Sequence, residues 1–357
     1  MTASRFAFVT LLLLIAFVLP LMSQQVVATG FNNPRGLKFG PDGYLYVAEG
    51  GAGGTLSTVG QCEQAAGPPA GPGPYTGGFT ARISKVNVAT GAVSAVAEGL
   101  PSSATSDAFG NLVSGVADIA FIDGKLYALI SGAGCSHGLA GTHNGIVLIN
   151  PNGTWTDVAN LSTFQMAHPV ANSEPDDFEP DGTWYSMVAV RGALFAVEPN
   201  HGELDMITTN GQVRRIADIS ASQGHIVPTA IAYHGNFYIG NLHTFPIDEG
   251  SSKIIKINPA GEVKTVATGF TTVLGLAFDN RDRMYVLENS TGNPMPTPGT
   301  GKVLRVDPSG KVTEIATGLF LPTGMTMGPD GNLYVSEWGF GPPPIGMGQV
   351  IKITLGN

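Results

Sequence analysis

The sequence repeats one two-strand motif six times, and this repeat constrains the fold more than any other feature. The motif is a short apolar strand, a tight turn, and a Leu-Tyr-Val-like strand that ends in an acid or an amide. It first spans residues 34–49 and returns nearly unchanged at 322–337. Weaker copies end at Ile130, Glu198, Asn241 and Glu288. Strand-rich repeats with turns at fixed offsets are typical of β-propellers, in which each repeat forms one blade.

Each full repeat is predicted to form four strands, A to D, which in the fourth blade cover residues 228–233, 237–241, 253–258 and 262–268. The last repeat lacks strand D, whereas the segment from about Val26 to Thr29 matches the D strand of the fourth blade. We therefore predict an all-β, six-bladed β-propeller over residues 24–357. The N-terminal strand closes the ring as the outer strand of the last blade, which shields open strand edges.

Residues 1–23 are predicted to be a secretory signal peptide. Arg5 precedes an almost wholly apolar stretch that contains Pro20 and turns polar at Ser23. This stretch is short for a membrane span, although an uncleaved N-terminal anchor stays an alternative. No later segment is long and apolar enough to cross a bilayer, so we expect a periplasmic or secreted protein without further membrane contact.

The amino-acid composition excludes some classes of binding partner. The formal net charge is −9, which argues against nucleic acid and anionic lipid because both require clustered Lys and Arg. With 49 Gly, 25 Pro and only 13% charged residues, the chain is rich in turns rather than amphipathic helices.

The predicted blade register places every long loop on one face of the ring. The loops between strands A and B and between C and D are tight. The loops between D and A and between B and C hold the insertions, at residues 50–79, 101–114, 131–144, 162–183, 242–251, 289–301 and 338–348. Long loops at one end of a rigid scaffold usually carry function, so we expect the site on this long-loop face.

Acidic and imidazole side chains are concentrated in these loops. His201, His243, Glu198 and Asp177 are candidate catalytic groups, and Glu198, His201, His243 and Glu49 are candidate ligands of a divalent metal such as Ca²⁺, Zn²⁺ or Cu²⁺. The alternative is that the acidic loops are solvated and the histidines bond backbone groups. The glutamates that end strand B in several blades have a further structural alternative, in which each carboxylate accepts backbone N–H groups of a D–A loop.

A small-molecule ligand on this face is expected to contact aromatic, amide and basic side chains near the loop bases. The candidate binding residues are Trp184, Tyr185, Asn200, Asn241, His225, Trp338 and Arg35. Cys62 and Cys135 lie in the long B–C loops of the first two blades, and we predict that they form a disulfide in an oxidising compartment.

The repeat phrase resembles NHL-type repeats. Residues 174–186, 196–202 and 29–37 together resemble the ScyD/ScyE family, secreted proteins named for the gene cluster of the cyanobacterial pigment scytonemin. This resemblance covers nearly the whole mature chain and implies a periplasmic six-bladed propeller that acts in pigment assembly. The first blade is also similar to soluble quinoprotein sugar dehydrogenases, but apart from Arg35 no basic residue is placed to clamp a quinone's carboxylates. Six-bladed lactonases with a central Ca²⁺ are similar in architecture.

These observations predict a secreted propeller that binds a small molecule, with a metal, in a pocket rich in His and carboxylate groups. Metal-assisted chemistry on an aromatic or cyclic substrate is the enzymatic form of this hypothesis. Two alternatives stay open: a non-catalytic module that binds a protein or glycan, and an enzyme like the lactonases or quinoprotein dehydrogenases.

Overall fold

The computed structural model describes residues 23–173, 179–292, 294–340 and 346–356. Within these residues the chain forms six small sheets. The strands in chain order are β1 (Gln24–Phe31), β2 (Pro34–Phe39), β3 (Leu45–Glu49), β4 (Thr76–Val86), β5 (Val93–Ala104), β6 (Val113–Ser114), β7 (Val116–Ile122), β8 (Lys125–Ile130), β9 (Gly145–Ile149), β10 (Trp155–Asn160), β11 (Ser186–Val190), β12 (Ala193–Glu198), β13 (Glu203–Thr208), β14 (Val213–Asp218), β15 (Pro228–Tyr233), β16 (Phe237–Asn241), β17 (Ser252–Ile257), β18 (Val263–Phe270), β19 (Val273–Phe278), β20 (Met284–Glu288), β21 (Gly301–Val306), β22 (Val312–Leu319), β23 (Gly324–Met327), β24 (Leu333–Glu337) and β25 (Gly348–Ile353).

Six blades close into a ring around the first strand of each blade. These inner strands pack on one another in the cyclic order β2, β7, β11, β15, β19 and β23, and β23 packs back on β2. Each sheet has four antiparallel strands, except that the first blade adds the short β6 at its outer edge. The predicted six-bladed β-propeller is therefore confirmed.

The N-terminal strand closes the ring as predicted. β1 pairs antiparallel with β25, so that Val26 lies opposite Ile351 and Thr29 lies opposite Gln349. The last sheet consequently has the order β1, β25, β24, β23. Both ends of the described chain are thus part of one blade, and the outer edge of β25 is covered.

Buried aliphatic side chains fill the space between neighbouring blades. Val197 of the third blade packs with Ile239 and Ile255 of the fourth in one apolar cluster. The C strand of the fourth blade buries its isoleucines and leaves Lys253 and Lys256 half-buried, as its alternating pattern predicts. The rigid part of the molecule is therefore the stack of sheets, from which the long loops extend.

Two short helices differ from the sequence prediction, which contained none. α1 (Leu161–Ala167) and α2 (Ile219–Gln223) each follow the last strand of a blade. The side chains of Asn160 and Asp218 cap them by accepting a backbone N–H of the first turn. Helices this short carry no periodic apolar pattern, which is why the sequence gives no signal for them.

The predicted disulfide is present between Cys62 and Cys135. It ties the long B–C loop of the first blade to that of the second, across a separation of 73 residues. Structural disulfides are typical of oxidising compartments, which agrees with the expected location outside the cytoplasm. The predicted signal peptide lies almost wholly outside the described residues. No helix in the described ranges has the length and apolar character of a membrane span.

Candidate functional site

A cavity of about 680 Å³ lies on the long-loop face of the ring. Its wall comes from loops that enter an inner strand or follow strand B, in agreement with the predicted gathering of long loops on one side. The lining comprises Arg35, Pro69, Ala70, Gly71, Pro72, Tyr75, Thr105, Phe109, Leu112, Val113, Ser114, Gly115, Ala117, Ser131, Glu179, Thr183, Trp184, Tyr185, Pro199, Asn200, His225, Val227, Thr229, Leu242, His243, Thr244, Phe245 and Phe340. This volume is within the range of small-molecule sites in proteins.

The structure brings only part of the predicted site to this cavity. The lining includes Arg35, Trp184, Tyr185, Asn200, His225 and His243. It does not include Glu49, Glu198, His201, Asn241 or Trp338. Asp177 lies outside the described residues.

Arg35 contributes a buried cation to the wall. The residue is the second of the inner strand of the first blade and is 8% exposed. One of its terminal nitrogens donates to the Val113 carbonyl, and the other donates to the Tyr185 hydroxyl at 3.4 Å. The guanidinium carbon lies 5.6 Å from the centre of the Tyr185 ring, so the phenol both orients and stacks against the cation. Burial raises the pKa of the Tyr185 phenol, which keeps its proton available for hydrogen bonding.

Aromatic rings form much of the remaining wall. The Phe245 ring is stacked near the Phe340 ring, with 6.2 Å between their centroids. Trp184, at the start of the third blade, is fully buried at the cavity edge. His225 and His243 lie on the same wall and are half-buried. The cavity therefore combines flat apolar surfaces with two imidazoles and one guanidinium.

A hydrogen-bonded tyrosine and glutamate form another part of the wall. The Tyr75 hydroxyl donates to Glu179 Oε1 at 2.6 Å, and both residues are buried. The Glu179 carbonyl oxygen in turn lies 3.3 Å from Nε2 of His201. His201 is therefore bonded to the loop behind the cavity and is not part of the lining.

The repeated glutamates have the structural role that was the alternative to function. Glu49, Glu198, Glu288 and Glu337 each accept a backbone N–H of the loop that enters their own blade, at 2.7 to 2.9 Å. Glu198 also accepts the backbone N–H of His201 at 2.6 Å. These carboxylates fix the loops that surround the cavity, and all four are buried.

The predicted metal ligands do not form a metal site. Glu49 is bonded to Arg82 and Ser84 in the first blade, far along the ring from the blades of His201 and His243. In the ranges that the structure describes, no three His, Cys, Asp or Glu side chains lie together as a metal would require. The predicted set of Glu49, Glu198, His201 and His243 therefore does not fit a bound divalent cation.

Two predicted binding residues lie away from the cavity. Asn241 is buried and bonds the Ile226 carbonyl and the Lys253 backbone N–H, so it joins a loop to a strand. The Trp338 ring stacks on Phe320 at 5.2 Å, and Phe340, two residues on, reaches the wall instead. The sequence correctly placed this loop at the site but could not tell which of its aromatic rings faces inward.

Two buried carboxylates stand behind Trp184. Its indole N–H donates to Asp205 Oδ2 at 3.3 Å, and Arg215 forms an ion pair with the neighbouring Glu203. Burial, the charge of Asp205 and the other nearby acids raise the pKa of Glu203 to about 9, against the opposing effect of Arg215. Burial likewise raises the pKa of Asp205 to about 7. The pair consequently holds a proton that the unfolded chain has already lost at neutral pH.

This pair predicts a loss of stability in alkaline solution. Because both folded-state pKa values lie above those of the unfolded carboxyls, their contribution is complete below about pH 4 and disappears as the pH rises through 7 and 9. We expect the free energy of unfolding to fall by about 2 kcal/mol between pH 7 and pH 9. Urea unfolding at each pH measures this. Asp205→Asn should reduce the fall in the free energy of unfolding, whereas the exposed control Asp107→Asn should leave it unchanged. A wild-type free energy of unfolding that stays level or rises over this range contradicts the prediction.

The axis below the cavity holds a further buried carboxylate that the sequence did not indicate. Asp118 is 3% exposed and accepts the backbone N–H groups of Ile119 and Met187, both at 2.8 Å. It lines a small space of about 30 Å³ together with Gly36, Lys38 and Tyr185. Burial raises the pKa of Asp118, and the charge of Lys38 opposes this shift. The acid joins the inner strands of the second and third blades directly beneath the site.

No family model and no curated protein matches the sequence. Solved structures of similar fold include an oxidoreductase described as a glucose dehydrogenase from Thermus thermophilus, at 16% identity, TM-score 0.57, and coverage of 93% of this chain and 100% of that one. A gluconolactonase from Xanthomonas campestris is similar at 11% identity and TM-score 0.57, with coverage of 94% and 90%. The PQQ-bound aldose sugar dehydrogenase of Streptomyces coelicolor is similar at 16% identity and TM-score 0.53, with coverage of 93% and 97%. At these identities the likeness supports the six-bladed fold alone.

Proposed function

We propose that the protein binds a small ring-containing molecule in the cavity of the long-loop face. The observation that carries this proposal is the cavity itself, about 680 Å³ in volume, with aromatic and hydrogen-bonding side chains converging on it. Deep apolar pockets with a few polar groups that fix orientation are the usual form of small-molecule sites. A protein partner is favoured by a broad exposed surface rather than by a concave site of this kind.

The cavity wall has separate apolar and polar parts, which suits a ligand that contains a ring. Phe245 and Phe340 offer flat apolar surfaces against which a ring packs. Asn200 and Thr244 offer amide and hydroxyl groups for the polar edge of the ligand. The resemblance to the ScyD/ScyE family supports the same ligand class, because it suggests an aromatic pigment precursor.

Two cofactor-dependent alternatives fit the site less well. A lactonase with a central cation needs several ligands, and no three His, Cys, Asp or Glu side chains lie together among the described residues. A quinone cofactor with several carboxylates needs several cations, whereas Arg35 is the one guanidinium and no lysine is present in the described lining. We therefore propose neither activity in its cofactor-dependent form.

Acid–base catalysis is a second candidate, favoured by the two imidazoles on the cavity wall. His225 and His243 are placed to donate or accept a proton at a bound ring, and imidazole is the commonest acid–base group in enzymes. A cyclic ester is a suitable substrate class because a general base activates water for its opening. The fold shared with a gluconolactonase supports the test of this class.

Ligand-observed NMR with phenol, D-glucose and glucono-1,5-lactone tests the proposal. We expect at least one of these rings to bind the wild type, and Phe245→Ala to weaken it about tenfold because a packing surface is lost. Phe79→Ala is the matched control, since Phe79 lies on β4 outside the lining and is 49% exposed. Alkali consumption by the lactone, compared between the wild type and His243→Gln, tests catalysis separately. Equal affinities in both phenylalanine variants, or no binding by any ring, would count against the cavity.

A further inference from the structure

We infer that the ligand of this cavity carries one anionic group, of the carboxylate type, and that Arg35 binds it. This inference rests on the proposed function, because it assigns a chemical class to the ligand of the same cavity. The inference comes from the Arg35 guanidinium, which is buried and has no carboxylate partner among the described residues.

Four other arginines of the sheets are paired with acids, whereas Arg214 on β14 is exposed and lies against the Met206 sulfur. Arg82, Arg215, Arg283 and Arg305 are half-buried, and each forms an ion pair, with Glu49, Glu203, Asp279 and Asp307 respectively. Arg35 is more deeply buried than these four. Nevertheless, among the residues that the structure describes, no carboxylate pairs with Arg35.

The hydrogen bonds of Arg35 leave donor capacity unused. A guanidinium has five N–H groups. In the described chain two of them have acceptors, the Val113 carbonyl and the Tyr185 hydroxyl. Both acceptors are neutral, so neither compensates the positive charge. Burying a charge without an opposite partner destabilises the folded state, because the charge loses its hydration. A bound anion would offset this loss of free energy.

A carboxylate fits this position better than a neutral acceptor does. The planar fork of arginine matches two carboxylate oxygens, and such charge-assisted bonds are about twice as strong as neutral ones. The Tyr185 phenol, with its raised pKa, remains a neutral neighbour that does not compete as an anion.

The other ionisable groups of the lining are compatible with one anion. His225 and His243 are basic, and Glu179 is the one acid in the described lining. Glu179 already accepts the Tyr75 hydroxyl, so that carboxylate oxygen has a hydrogen-bond partner within the protein. A single guanidinium suits one carboxylate on a ring that packs against Phe245.

Benzoate and benzamide provide a matched pair of probes, because they share ring and shape but differ in charge. Dissociation constants are measured by ligand-observed NMR for the wild type and for Arg35→Met. Arg281→Met is the control, because it removes the same charge from an exposed turn on the opposite face. Circular dichroism establishes folding, and Arg35→Lys replaces Arg35→Met if the latter does not fold.

We expect the wild type to bind benzoate at least about tenfold more tightly than benzamide, given the strength of bonds to charged groups. Arg35→Met should remove this preference, Arg35→Lys should reduce it, and Arg281→Met should keep it. Equal affinity for the two probes in the wild type, or a preference that survives Arg35→Met, overturns the inference. If benzamide binds but the preference is absent, the cavity proposal stands alone; if neither probe binds, both fail.

Discussion

A protein that lacks residues 24–31 is expected to lose its cooperative thermal transition and to aggregate. The deleted strand β1 is the outer strand of the last blade and pairs along β25 from Gln24 to Phe31. Its removal exposes the edge of β25, and an open strand edge is a template for association between chains. It also removes Phe31, which is fully buried, at a cost of about 3–5 kcal/mol from that side chain alone. The total is a large fraction of the stability of a typical domain.

Circular dichroism on heating and sedimentation velocity measure this outcome. The control keeps the strand and changes an exposed position within it: Val26→Thr replaces a side chain that is 52% exposed and should melt like the wild type. A monomeric truncated protein with an unchanged melting temperature would show that β1 does not hold the ring closed.

Gly36→Ala is expected to destabilise the protein by about 3 kcal/mol or more. A Cβ atom at position 36 would lie 1.9 Å from Oδ1 of Asp118 and 2.9 Å from its Cα. Asp118 is buried and bonded to two backbone N–H groups, so it has no room to retreat without breaking those bonds. An alanine at position 36 is disfavoured by lack of space and not by backbone conformation, because the φ of Gly36 is not in the left-handed region.

Urea unfolding gives the size of this effect. Gly67→Ala is the matched control, because its Cβ would meet nothing nearer than 3.4 Å and its φ is also ordinary. We expect Gly67→Ala to stay within about 0.5 kcal/mol of the wild type. Equal stability of the two alanine variants would mean that Asp118 and Gly36 do not pack as described.

The blade architecture was predictable because each blade repeats the same local signals. Strands A and B of the fourth blade begin and end at the predicted residues, Pro228–Tyr233 and Phe237–Asn241. Apolar alternation and glycine turns determine such strands locally. Ring closure was predictable because the N-terminal segment matches a D strand, which the last repeat lacks. The disulfide was predictable because both cysteines lie in long loops on one face.

The cavity was only partly predictable, because its wall is made by irregular loops. Sequence reasoning identified Arg35 and Tyr185 but missed Tyr75, Phe245 and Phe340. A loop has no periodic pattern that tells which side chain points inward, so Trp338 was chosen where Phe340 lines the wall. Phe245 follows the predicted binding residue His243 by two positions. This closeness in sequence was the one indication that Phe245 could line the cavity.

The repeated glutamates show how recurrence separates structural from functional candidates. Glu49 and Glu198 were candidates for metal binding because they share the long-loop face with the imidazoles. Their recurrence in blade after blade was the better guide, since each one accepts the same type of backbone N–H group. Repetition in a propeller therefore indicates a scaffold role, whereas Arg35, present once, is the residue that merits a functional hypothesis.

Soaking a crystal of the protein with 4-iodobenzoate tests whether the cavity binds a ring whose carboxylate pairs with Arg35, because the iodine locates the ring and the density shows the partner of the carboxylate. We expect an anomalous peak inside the cavity near Phe245, with the carboxylate oxygens within hydrogen-bond distance of the Arg35 guanidinium. An empty cavity at millimolar 4-iodobenzoate, or a probe bound there with its carboxylate turned away from Arg35, would contradict this expectation.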